Sequence, residues 1–198
     1  MKVENSGVLV QLNISSWSAQ KLDRNATDKV TREANASRKA GKFTKDLFLG
    51  STYASDIVSI ANTTRNWNVA STMPWKDGGG SNGERYCAGK LFLPYKADLN
   101  ARKREFWAKV KVLEQNYDKG KNIAFGELGK LYNPDDYPHI TDVLAKYGWH
   151  TGANPIPLSG HFSVDLPKED LEEFVATQEE NMKGIMEVSL YSHLKINK

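Results

Sequence analysis

The chain is poor in cysteine. Among 198 residues only Cys87 carries a thiol, so no disulfide can form within one chain. The economical reading is a reducing, cytoplasmic compartment. Long apolar runs are also missing. The N-terminal patch from Val8 to Leu12 is too short for a secretory signal core, and no segment reads as a membrane span. The expectation is therefore a cytoplasmic protein with no membrane partner. The sequons at Asn25, Asn35 and Asn62 are read as inert in that compartment. Paired metal-ligand spacings are lacking among His139, His150, His161 and His193, which leaves surface or strand-edge roles for them. No Walker signature follows the glycine-rich run from Asp77 to Gly83, because Glu84 and Arg85 stand where Lys-Ser/Thr is required. With no nucleophile-base pattern either, no catalytic residue, cofactor or metal is expected, and the chain is read as non-enzymatic.

What is present is ordinary globular composition, 39% hydrophobic and 26% charged, long enough for a core without staples. The net charge of +3 is weak, but its distribution is uneven. Lys21 to Lys45 holds eight basic residues against three acids, and Arg102 to Lys121 holds seven against three. Asp165 to Glu180 reverses the sign, with seven acids against Lys168 alone.

Residue patterning predicts a helix-rich α+β fold, with several long helices packed on a small antiparallel sheet or hairpins. Gly7 to Ile14 alternates as a strand. Ser15-Ser16 then offers a cap for a long, largely exposed helix from Trp17 to Ala40, ended by Gly41. Phe43 to Leu49 reads as a short apolar connector closed by Gly50. A second helix follows Ser51 or Thr52, with Tyr53, Ile57, Ile60, Ala61, Thr64 and Trp67 on one face, and Met73-Pro74-Trp75 breaks it. Lys76 to Gly83 reads as a hairpin tip before a strand from Arg85 to Leu93.

Pro94 to Tyr117 is the clearest helical pattern, followed by a polar break over Asn116 to Asn122 and a short helix from Ile123 to Tyr132. Asn133 to Pro138 is a turn, in which Asp135-Asp136 has a structural, capping role. A short helix from Ile140 to Tyr147 stops at Gly148, and extended pieces run from Trp149 to Leu166. A final helix behind Pro167 carries Leu171, Phe174, Val175, Met182, Ile185, Met186, Leu190 and Leu194 on one stripe. The expected organisation is one α+β domain over 1–166 and a helix over 167–198, docked on it or used for association.

Cations interleaved with rings suit a single nucleic-acid strand, because rings stack on bases while cations neutralise the backbone. The candidate contacts are Trp75, Lys76, Arg85 and Tyr86 at the hairpin; Lys21, Arg24, Arg32, Arg38 and Lys39 in the first basic stretch; and Arg102, Lys103 and Arg104. The last three, read as opening a helix, would oppose its dipole unless an anion sat there. Set against this are a solvated charged face and an ordinary hairpin with cross-strand aromatic pairs.

Several segments resemble an uncharacterised family of phage and mobile-element proteins, a domain of unknown function. They are Val8 to Trp17 (VLVQLNISSW) continuing to Lys21-Leu22-Asp23, Met73 to Asp77 (MPWKD), Phe92 to Tyr95 (FLPY), Phe106-Trp107, Tyr132 to Pro138 (YNPDDYP) and Phe162 to Asp165 (FSVD). The resemblance implies a role in phage DNA processing, or in an assembly driven by an ATPase, and assigns no functional residue. Family members extend further at the C-terminus, in keeping with a stripe still running at Leu194. Two functions compete, and a small hydrolase or metal enzyme assembled from scattered residues is a third with no motif behind it. One is an accessory protein binding nucleic acid, single-stranded DNA by preference, in DNA metabolism or recombination. The other is an adaptor or inhibitor acting on a host or ATPase partner, with self-association through the C-terminal helix as one form of it.

Overall fold

The computed structural model describes residues 7–75 and 83–156. Among these residues it is an α+β fold of five α-helices with a small antiparallel four-stranded sheet and a separate two-stranded sheet. The hairpin tip over Lys76 to Gly83 lies mostly outside the described residues, and so do the strand from His161 and the helix expected over 167–198. The chain divides into two compact units, whose described parts are 7–13, 65–75, 83–99 and 150–156 in one, and Ile14–Thr64 with Asn100–Trp149 in the other.

The first unit is organised by the sheet, in the order β4 (Met73–Pro74), β5 (Arg85–Ala88), β1 (Gly7–Ser15) and β6 (Gly148–Pro155). β1 and β5 run antiparallel, with Gly7 opposite Ala88 and Val10 opposite Arg85. Val10 and Leu12 are buried and Gln11 and Asn13 exposed, the alternation expected of a half-buried strand. The unit's interior joins the end of α2 (Tyr53–Ser71) to the start of α3 (Gly89–Gln115). There Trp67 and Tyr95 stack at 5.0 Å, and the Tyr95 hydroxyl donates to Asn68 Oδ1 at 2.7 Å. Burial pushes the Tyr95 phenol up to about 12.

In the second unit, Trp17, Phe48 and Tyr117 form an aromatic centre. Phe48 meets Trp17 edge-on at 5.6 Å and lies 5.4 Å from Tyr117. α4 (Tyr117–Leu128) docks there through Tyr117, Gly120, Ala124 and Leu128, and Gly120 lets the helix backbone approach the Phe48 ring. Phe106 packs against Tyr147 and Trp149, which follow the short α5 (Ile140–Leu144).

Three expectations are corrected. The long helix from Trp17 to Ala40 is instead a strand, β2 (Gln20–Leu22), and a ten-residue helix, α1 (Arg24–Glu33). β2 pairs antiparallel with β3 (Thr44–Asp46), Lys21 facing Lys45. This long-range pairing overrides a thin helical stripe. Asp23, not Ser15 or Ser16, caps α1 by accepting from Ala26 N–H at 2.9 Å. Asn35, at φ 49°, ends α1 well before Gly41. Its N–H reaches Arg32 O and the Ala36 N–H reaches Thr31 O, a Schellman closure with asparagine in the left-handed position.

The strand read over Arg85 to Leu93 stops at Ala88. α3 begins at Gly89 and carries Pro94 inside it. There proline removes the N–H that Lys90 O would have accepted and its ring crowds that carbonyl, yet the helix runs on to Gln115. The polar break over Asn116 to Asn122 shrinks to Asn116, because α4 starts at Tyr117. Its apolar spacing is completed by a glycine, which a hydrophobic count does not register.

Candidate nucleic-acid interface

The first basic stretch folds into one locality of the second unit. β2 and β3 form its back, and the Asp23 cap turns α1 away from β2. Pro134 to Asp136, a 3-10 turn capped by Asn133 Oδ1 on the Asp135 N–H, brings Asp136 to the same place. Lys45, 6% exposed, lies at its floor. Its Nζ is 2.5 Å from Asp136 Oδ2 and 3.3 Å from Asp23 Oδ2, and it donates to Leu131 O at 2.7 Å. Lys21 Nζ holds the other oxygen of Asp136 at 2.8 Å. Burial alone would raise the Asp136 carboxyl, but hydrogen bonds from Lys21 and Lys45, with their charges, outweigh it and hold it below its ordinary value. Asp23 is lowered chiefly by the Ala26 N–H, with help from Lys45. Lys45 is raised, since the two carboxylates outweigh its burial.

Above this floor is an open cleft of about 850 Å³. Lys21, Arg24, Lys29, Lys45 and Lys130 line it, against Asp23 and Asp136, and Tyr132 contributes a ring. A smaller cavity of about 380 Å³ adjoins it, sharing Leu22 and Arg24. It is rimmed by Arg38, Lys39 and Lys42, with Asp28 the one acid. Arg38 grips both oxygens of Asp28 through Nε and Nη2. Arg24, Lys39, Lys42 and Lys130 make no ion pair with a described residue, and all are exposed. Lys29 reaches Glu33 only at 4.0 Å. Asp23 and Lys45 therefore hold the cleft together, while other cations stay free to meet an anion.

Tyr132, on the cleft wall, has a second ring beside it. Phe125, 62% exposed on α4, packs perpendicular to Tyr132 at 5.1 Å and 88°. Tyr132 is braced behind by Tyr137 at 5.2 Å.

Lys21, Arg24, Arg38 and Lys39 converge at the two cavities. Arg32 is exposed in the last turn of α1 and lines neither. Arg102, Lys103 and Arg104 lie in the middle of α3 rather than at its start, so the dipole argument does not apply to them. Successive helical residues point about 100° apart, so these three fan around the helix and share no face. Trp75, Arg85 and Tyr86 belong to the other unit, and Lys76 lies outside the described residues. Trp75 is 7% exposed and stacks on Tyr86 at 6.4 Å, the cross-strand pair of an ordinary hairpin. Arg85 is buried and donates to Thr72 Oγ1, Thr72 O and Val69 O at 2.6, 2.9 and 3.1 Å. Its guanidinium closes the carbonyl end of α2 and is not offered to a ligand.

Sequence reasoning left Lys29, Lys42, Lys45, Lys130, Phe125 and Tyr132 off its set of candidate contacts. Lys130-Leu131-Tyr132, a cation next to a ring, was the local signal. Nothing local shows that Leu131 O meets Lys45 across 86 positions. Among the described residues no cluster of three or more His, Cys, Asp or Glu could hold a metal, and no helix is long and apolar enough to cross a membrane. His139 caps α5, its Nδ1 lying 2.8 Å from Thr141 Oγ1.

Compared with protein-family models, curated proteins and solved structures, the chain matches none.

Proposed function

We propose that the protein is a non-enzymatic accessory factor that binds nucleic acid through the cleft between α1 and Lys130. The observation that carries this reading is the convergence of unneutralised cations from distant segments, Arg24 with Lys130, beside the half-buried Tyr132 ring, on which the exposed Phe125 packs. Free cations release counterions from a phosphate backbone, and rings give bases a stacking surface. The setting in phage or mobile-element DNA metabolism or recombination rests on the segment resemblance alone.

A mobility-shift titration with single-stranded DNA at two salt concentrations tests the reading. Binding should weaken as salt rises, and Arg24→Ala with Lys130→Ala should lower the slope of log K against log salt by about 1 per lost contact. Absence of binding at low salt would end it.

A second reading, an adaptor or inhibitor on a protein partner, has its own observation. Leu91 and Leu93, in the first turns of α3, are 58% and 74% exposed. Light scattering coupled to size exclusion separates self-association from a monomer.

A further inference from the structure

Resting on the nucleic-acid reading, we infer that the ligand is one single strand whose backbone runs across both cavities, with a base stacked on Phe125. The two cavities share Leu22 and Arg24 as a common wall, so they are consecutive stations rather than separate sites. Lys130 and Lys29 serve the first, Lys39 and Lys42 the second, and Arg24 serves both. Each station offers cations beyond what its acids neutralise. A mononucleotide would use one station and leave the other's cations unmatched. A flexible strand can follow the bend around the start of α1 and satisfy both.

The ring geometry selects unpaired bases. Phe125 meets Tyr132 edge to face, so at least one Phe125 face is not covered by that partner. A duplex keeps its bases stacked on one another and presents phosphates instead, so it could use the cations but not the ring. Leu22, 41% exposed on the shared wall, adds an apolar contact for a sugar or base edge without a charge that would repel the backbone.

The test is fluorescence anisotropy on the full chain, with labelled dT12 and a 12-base-pair duplex as probes, at two potassium chloride concentrations. The strand is expected to bind more tightly than the duplex. Phe125→Ser should weaken dT12 roughly 5- to 150-fold, the range for one lost base stack, and leave the duplex unchanged. Lys39→Ala with Lys42→Ala should weaken dT12 and lower its salt slope by about 1 to 2, because each counts for a little under one released counterion. These exposed residues carry little of the fold, and urea melts of each variant confirm it. If the duplex binds as well as dT12 and Phe125→Ser changes nothing, the single-strand inference is overturned while charge-driven nucleic-acid binding stands. If only Lys130→Ala matters and the Lys39 and Lys42 variant is neutral, the two-station path is overturned. If neither probe binds at low salt, both readings fall together.

Discussion

Replacing Lys45 by methionine removes the central cation of the cleft floor while keeping most of its volume. Its ammonium touches Asp136, Leu131 O and Asp23 at 2.5, 2.7 and 3.3 Å. An exposed ion pair is worth about 0–1 kcal/mol, but removing one partner of a buried pair costs about 3–5 kcal/mol because a charge is stranded without compensation. Lys21 still holds Asp136 at 2.8 Å from a half-exposed position, so the expected loss is near the lower end, about 3 kcal/mol. Urea unfolding followed by tryptophan emission reads it as a shift in midpoint.

The loss must also depend on pH. Asp136 and Asp23 have lowered pKa values in the fold. Their contribution is complete above the unfolded carboxylate value and disappears as pH falls through the folded one. Lys45 is raised, so its contribution is complete below the unfolded lysine value and disappears as pH rises through the folded one. The network therefore stabilises fully between about pH 5 and pH 9. The gap between wild type and Lys45→Met should be widest there and should narrow toward pH 3, where protonating Asp136 relieves the variant. Adding Asp136→Asn to Lys45→Met should recover part of the loss at neutral pH, since it removes the stranded charge. A loss under about 1 kcal/mol, a gap independent of pH, or a double variant no more stable than the single one would refute the reasoning.

Further expectations follow from the packing. Arg85→Met should destabilise by about 2–3 kcal/mol in urea melts and leave DNA affinity unchanged, and Arg85→Lys should not rescue it, because an ammonium cannot reproduce the guanidinium fork on Thr72 and Val69. Gly120→Ala would place a Cβ 2.7 Å from Phe48 Cδ1 and should cost about 1–3 kcal/mol by thermal or urea melt, whereas Gly126→Ala, with open space around it, should not destabilise. Cys87 is buried, and burial raises its thiol pKa, so a disulfide reagent at pH 8 should react slowly with the native chain and fast in denaturant.

Legibility in the sequence followed the range of the interactions. β1 was readable because alternation over Val10, Leu12 and Ile14 is local, and α2 because its stripe, an N-terminal signal and Met73-Pro74 agree. The helix expected from Trp17 failed because β2 owes its state to β3, more than twenty positions away, and no window over Trp17 to Ala40 contains that partner. Pro94 misled in the other direction. Proline commonly opens helices, and a strand signal at Tyr86 and Cys87 ran into it, so Gly89 to Leu93 was assigned to the wrong element. The candidate site was half legible for the same reason. The basic run gave Lys21, Arg24, Arg38 and Lys39, but the ring and the last cation come from the segment after α4, where only three-dimensional closure joins them.

Counting cations, then, could not have separated those engaged in the fold from those left exposed and unpaired in the cleft. Lys45 and Arg85 have the composition of contact residues and the environment of core residues, their bonded donors turned inward onto the fold's own acceptors. Arg24 and Lys130 look equally ordinary in the sequence, yet they stand exposed over a floor whose carboxylates are already engaged. That division has a physical consequence. Asp23 and Asp136 are engaged by Lys45 and Lys21, so less of the cations' field above them is cancelled by the acids below. The buried pairs are shielded from mobile ions and the exposed cations are not. In the proposed reading, structure and affinity in this cleft rest on charges of the same kind, separated by depth alone.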